Sequence, residues 1–371
     1  LSVPSGPHTK VDVPWGQFEL PTVSGILSTS VAEGPAGRAI FVLNAEVKRK
    51  DEATVRGLFE ALRKYLKYNS LYRGKAIKIR FRDEDGDPIP MPEPEFMDLA
   101  DVQVQNLILN DDLASSVKAN LFTPIERVED CLHNNIKVKR GVLLGGNYGT
   151  GKTLAAMCAA RVAEDNGITY IYTPRAGELG DAIAFARQYQ SPAGVVFCED
   201  IDRSVTGSRT VEIDDILNIL DGIDTKNENI ITVLTTNHLG NVNQAMLRPG
   251  RLDAIINVET PDAPTAEKLV RYYGGLSISA DEDLTEVGVA LAGQIPAVIE
   301  EAVKRAKLFQ LSMLNEGAAV EDISAEALRQ SAATMTKQIE LLAEPKAHEV
   351  PTLDKAFRNA VHGEQAEQHT H

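Results

Sequence analysis

The chain has 371 residues, 43% hydrophobic and 25% charged, with 38 Lys and Arg against 53 Asp and Glu for a formal net charge of −15, the profile of a globular protein of two or three domains rather than a general nucleic-acid binder. No apolar run approaches the roughly 20 residues of a membrane helix and residues 1–4 carry no leader core, so we expect no membrane insertion and a cytoplasmic location. The three cysteines, Cys131, Cys158 and Cys198, are too scattered for a disulfide framework or a zinc site.

Residues 1–104 read as a small α+β N-terminal region suited to partner recognition, with a linker at its end. Val55, Leu58, Phe59, Leu62 and Leu66 recur at helical spacing and predict a helix over 51–68. Ile77, Ile79 and Phe81 alternate with polar neighbours, as in a half-buried strand, and the four prolines of residues 83–95 mark a loop or linker. Charge is segregated here: 12 basic against 4 acidic residues between Ala45 and Arg82, then 8 acids and no base from Asp83 to Asp101. A solvated helix face followed by an acidic loop accounts for this, and a basic docking patch is the second reading.

Residues 105–264 change to short apolar runs separated by helical segments. Strands are expected at 142–144, 169–172, 195–198 and 230–234, each apolar on both faces, as in a parallel α/β sheet covered by helices. Residues 265–345 read as consecutive helices forming a separate subdomain, and 346–371 as a polar tail.

The segment Gly146-Asn147-Tyr148-Gly149-Thr150-Gly151-Lys152-Thr153 fits the phosphate-loop pattern, with a strand leading in and an Ala-rich helix leading out. Its glycines let backbone N–H groups turn inward around phosphate oxygens, and the helix N-terminus adds its positive dipole end. Lys152 then holds phosphate and the Thr153 hydroxyl holds Mg²⁺. A second strand, 195–198, runs into Glu199-Asp200 and places two carboxylates at the same sheet edge, one for the magnesium shell and one to orient or deprotonate water. Thr235-Thr236-Asn237 ends another buried strand, where Asn237 can touch the γ-phosphate or the water. In Arg248-Pro249-Gly250-Arg251 the arginines serve either surface ion pairs or a neighbouring subunit's γ-phosphate.

Phosphate loop, acidic strand, polar strand end and Arg-Pro-Gly-Arg, in this order, resemble the AAA family of ATPases over roughly residues 105–310. The resemblance implies a P-loop α/β subdomain followed by a small helical lid, ATP and Mg²⁺ as cofactors, and a homo-oligomeric ring, usually a hexamer. It adds Leu154 to the nucleotide contacts, reads Leu220-Asp221-Gly222-Ile223 as an inter-subunit segment, and reads Gly293 and Ala297 as lid residues at the adenosine. Glu199-Asp200 reverses the usual Asp-Glu, as in the mitochondrial AAA proteins that move a folded Rieske subunit; by position Glu199 is the metal-side acid with Thr153. The phosphate loop has Asn147-Tyr148 where the family usually has two prolines. The usual aromatic pore loop is replaced by Arg175-Ala176-Gly177.

The function implied is Mg²⁺-dependent ATP hydrolysis in a ring that remodels or translocates a macromolecule, with protein favoured over nucleic acid by the family analogy. A nucleic-acid motor or clamp, motivated by the basic stretch, and a slow nucleotide-gated scaffold, permitted by the reversed acids, stand as alternatives. Arg175, Arg203 and Arg209 are expected either to touch the partner or to pair across subunits. Tyr170 and Tyr172, at alternating strand positions, are expected in the core.

Overall fold

Strands that are apolar on both faces need cover on both faces, and the layering follows from that requirement. The computed structural model describes residues 2–13, 15–20, 23–33, 39–189, 192–201, 229–241 and 252–342. Arg203, Arg209, Arg248, Arg251 and the segment 220–223 lie outside the described residues.

At the N-terminus, β1 (Ser2–Pro4) and β2 (Lys10–Asp12) pair antiparallel. β3 (Gln17–Glu19), β4 (Gly25–Glu33) and β5 (Ala39–Val47) form an antiparallel sheet, and α1 (Glu52–Asn69) follows. Glu52 in the first turn of α1 suits the positive end of the helix, and its carboxylate takes a 2.8 Å bond from Arg56 one turn on.

The next strands, β6 (Ala76–Lys78) and β7 (Glu95–Phe96), join the main sheet rather than the N-terminal one. With β8 (Arg140–Gly145), β9 (Thr169–Thr173), β10 (Gly194–Cys198), β11 (Ile230–Thr236) and β12 (Ala254–Asn257) they build seven strands in the order β12-β8-β11-β10-β9-β6-β7. Every neighbouring pair is parallel except β6 with β7. Sequence patterning assigns 76–81 to the region before residue 105 and reads it as half-buried. The strand is shorter, and Ala76 and Ile77 are buried on opposite faces of the main sheet. β12 is also absent from the strands expected, because four residues give too short an apolar run to stand out.

Alternation sorts the core. Val142, Leu144, Tyr170, Val195 and Phe197 point to one face, covered by α2 (Asp111–Val117), α3 (Thr123–Glu126), α4 (Val128–His133) and α5 (Lys152–Asp165). Leu143, Ile171, Val196, Cys198 and Leu234 point to the other, covered by α6 (Leu179–Ala186). All three cysteines are free and buried, and burial pushes the thiols of Cys158 and Cys198 up to about 11 and about 12.

Four further helices follow, Ala263–Gly274, Thr285–Leu291, Pro296–Leu311 and Ala325–Leu342, around their own core of Leu269, Val270, Ile299, Val303 and Leu328. Asp262 caps the first of them by accepting the Thr265 N–H at 2.9 Å. No described helix is long and apolar enough to cross a membrane.

Leu143 is fully enclosed on β8, whereas Leu308 on the Pro296–Leu311 helix is 62% exposed. Leu143→Ala should therefore cost about 3–5 kcal/mol and Leu308→Ala under about 0.5 kcal/mol, read from chemical denaturation. Equal effects would contradict this assignment of the core.

Candidate nucleotide-binding site

The site lies where β8, β10 and β11 end, at their carboxyl edge. Between β8 and α5 the chain turns with positive φ at Gly146 (143°), Gly149 (76°) and Gly151 (102°). Gly146 also has no room for a side chain, since a Cβ there would stand 2.3 Å from the Val258 carbonyl, whereas one on Gly149 would stand 2.9 Å from the movable Ile295 Cδ1. The loop is thus shaped by its backbone. Thr150, only 2% exposed, donates its hydroxyl to the Asn147 carbonyl at 2.9 Å.

Lys152, 6% exposed, opens α5 and folds its ammonium over the loop, donating to the carbonyls of Gly146 at 2.8 Å and Asn147 at 2.6 Å. Thr153, next in the helix, donates its hydroxyl to Glu199 Oε1 at 2.6 Å. The second carboxylate oxygen, Oε2, accepts the Tyr172 hydroxyl at 2.9 Å. Asp200 turns the other way. Its φ is +46°, which Asp tolerates better than most side chains, and its N–H donates to Thr235 Oγ1 at 2.8 Å. Its carboxylate then accepts Asn237 Nδ2–H at 3.0 Å.

Consecutive acids at the end of β10 therefore face opposite neighbours: Glu199 toward β9 and α5, Asp200 toward β11. A cavity of about 570 Å³ opens beside Gly146, Asn147, Thr150, Asn237, His238 and Thr260. Tyr148 is exposed at its rim, with its ring edge-on to His238 at 6.4 Å. Leu154 is 41% exposed on the first turn of α5.

The helical subdomain meets this loop. Ile295 stands over Gly149, and Gly293, with φ 79°, donates its N–H to the Pro261 carbonyl at 2.8 Å. Ala297 lies exposed on the first turn of the Pro296–Leu311 helix. Asn110, ahead of α2, bridges the junction, donating to the Thr260 carbonyl at 3.2 Å and accepting the Asp262 N–H at 3.0 Å.

The sequence-expected residues 146–154, Glu199, Asp200 and Asn237 all lie at this carboxyl edge of the sheet, with Gly293 and Ala297 beside the loop through Ile295. Arg248 and Arg251 lie outside the described residues. Tyr172 was expected in the core, but it is only half-buried and its hydroxyl is on Glu199, whereas Tyr170 is fully buried and donates to the Ala156 carbonyl at 2.8 Å. The signal for Tyr172 is a hydroxyl, in place of an apolar tip, near the carboxyl end of a strand next to the acidic one.

Arg175, expected to touch the partner or to pair across subunits, has partners within its own chain. Its guanidinium donates to the Asp83 carbonyl and lies 3.9 Å from Glu178, a buried carboxylate that accepts the Phe81 N–H at 3.2 Å and the Thr173 hydroxyl at 3.3 Å. The turn after β9 is fastened to the segment following β6 by these bonds.

Residues 142–260 match the family model described as ATPase family associated with various cellular activities (AAA). The chain is 29% identical over 207 residues to the 26S proteasome regulatory subunit 4 homolog of Schizosaccharomyces pombe, covering 50% of this chain and 46% of that protein. It is 28% identical over 247 residues to the proteasome-associated ATPase of Renibacterium salmoninarum, covering 54% and 41%. Against the ATP-dependent zinc metalloprotease FtsH of Ureaplasma parvum, identity is 29% over 194 residues, covering 47% and 26%. The chain thus spans less than half the length of these curated relatives.

Gly146→Ala combines a left-handed backbone angle with a backbone clash, so it should cost about 2–4 kcal/mol and remove any rise in melting temperature caused by ATP. An unchanged melting curve with an intact response to ATP would show that Val258 does not set the shape of the loop.

Proposed function

We propose that this chain, whose residues 142–260 match the AAA family model, is an AAA-type ATPase that hydrolyses ATP with Mg²⁺ in a homo-oligomeric ring and uses the cycle to remodel or move a protein partner. The observation that carries the reading is the division of the two acids, Glu199 bonded to the Thr153 hydroxyl and Asp200 bonded to Asn237. The protein partner and the ring, a hexamer by family analogy, are supported by the likeness to proteasome ATPases. We place the region before residue 105 as the partner-recognition part, 105–264 as the large subdomain, 265–345 as the lid and 346–371 as a tail, with β6 and β7 lent to the large sheet.

The backbone N–H groups of residues 146–151 and the start of α5 take the phosphates, and Lys152 exchanges its loop carbonyls for phosphate oxygen. Leu154, Gly293 and Ala297 border the adenosine, with Asn147 and Tyr148 at the loop tip. Thr153 and Glu199 supply oxygen donors, the ligand type that Mg²⁺ prefers, so the residues fit that ion. Bound there, Mg²⁺ neutralises charge on the phosphates. Asp200 orients the attacking water and takes its proton, and Asn237 holds that carboxylate in place while reaching the γ-phosphate side. Arg248 and Arg251 reach a neighbour's phosphate and offset charge in the transition state.

Lys152→Ala should abolish ATP binding in calorimetry with the fold retained. Arg251→Ala should bind ATP yet hydrolyse it at least about 10³-fold more slowly. Mixing the two variants should restore hydrolysis, because a mixed ring pairs an intact pocket with an intact arginine from its neighbour. No recovery despite demonstrated subunit exchange would count against sites shared between subunits.

A further inference from the structure

Glutamate at position 199 carries one more rotatable bond than an aspartate, so its carboxylate has more ways to miss a fixed target. In this chain both of its oxygens are held. Oε1 takes the Thr153 hydroxyl at 2.6 Å, and Oε2 takes the Tyr172 hydroxyl at 2.9 Å. The tyrosine is itself confined by its two neighbours in register. On one side it pairs with Phe197 of β10, whose ring stacks on it at 5.1 Å with 24° between planes. On the other it pairs with Lys78 of β6, whose ammonium stands 5.7 Å from the ring centroid.

Glu199 follows Phe197 by two residues, just past the end of β10. A ring stacked on Phe197 therefore extends its hydroxyl along the strand to the carboxylate. A phenol is protonated across the neutral range, so the hydroxyl is the donor and the carboxylate oxygen the acceptor. A phenylalanine would fill the same stack. Among the described residues the hydroxyl bonds to the metal-side acid, Glu199.

We propose that Tyr172 is a positioning residue for Glu199. It pins Oε2 so that Oε1 stays on the Thr153 side, and it thereby sets the Mg²⁺ requirement for ATP binding. This rests on the nucleotide-site reading above. β6 contributes through Lys78, so a strand two places from β10 helps to hold the acid at the end of β10.

The test is calorimetric titration of ATP into the full chain at stepped Mg²⁺ concentrations and in EDTA. Tyr172→Phe should raise the Mg²⁺ concentration for half-maximal ATP binding by about fivefold to tenfold and leave binding in EDTA at the wild-type value. Glu199→Asp, whose shorter carboxylate cannot span both hydroxyls, should raise it similarly, and adding Tyr172→Phe to it should change nothing further. A purely packing role predicts a lowered melting temperature with a wild-type Mg²⁺ curve, and that outcome overturns the proposal. The same additional shift in both backgrounds also overturns it, because the hydroxyl would then act independently of Glu199. If wild type binds ATP and Lys152→Ala does not, either result sinks the Tyr172 proposal alone. If wild type binds no ATP at any Mg²⁺ concentration, the nucleotide-site reading fails with it.

Discussion

The site depends on the position of β10 between β9 and β11. A parallel strand ending in two acids delivers both carboxylates to one sheet edge, where like charges repel and neither is oriented by the strand itself. The two neighbours separate them. Tyr172 of β9 and Thr153 of α5 take Glu199, while Thr235 of β11 turns the Asp200 backbone and Asn237 takes its side chain. The left-handed angle at Asp200 drives this divergence, since an extended backbone there would continue the simple alternation of the strand. The parallel register of the three strands thus sets where each carboxylate goes as well as how the core packs.

The phosphate loop is tied into the same frame from the other side. Gly145 accepts the Val258 N–H at 2.6 Å, so the start of the loop is fixed by the chain just past β12. That chain continues through Thr260 and Asp262, both bonded to Asn110, into the helical subdomain, whose Ile295 rests over Gly149. A displacement of the loop is therefore felt at Ile295 through direct contact and at Asp262 through the backbone. Under the proposed function, this short route couples phosphate occupancy to the position of the lid.

Much of this was legible in the sequence because it rests on local rules. The positive-φ glycines of 146–151, the both-face apolar strands at 142–144 and 195–198, and the acids directly after the latter all follow from residue type and spacing. Long-range register was not legible. Nothing local says that Ala76–Lys78 lies beside Thr169–Thr173, so patterning alone keeps this strand with the N-terminal region rather than with the main sheet. Tyr172 was read as core for the same reason, since its alternation is that of a buried residue and its partner is 27 positions away. For Arg175 the sequence suggests a partner contact or a pairing across subunits, whereas its bond to the Asp83 carbonyl joins segments 92 residues apart. Local rules supplied the elements and the chemistry, and the pairings between distant segments decided which side chains support it.

The central claim is that the reversed acid pair keeps two separate duties, and the direct test compares Glu199→Gln with Asp200→Asn in single-turnover hydrolysis and Mg²⁺-dependent ATP binding. Asp200→Asn should bind ATP with Mg²⁺ as wild type does and fail to cleave it. Glu199→Gln should lose chiefly the Mg²⁺-dependent part of binding, with hydrolysis partly regained at high Mg²⁺. The opposite assignment, with Asp200→Asn losing the metal dependence and Glu199→Gln trapping uncleaved ATP, would contradict the division of the carboxylates between β9 and β11.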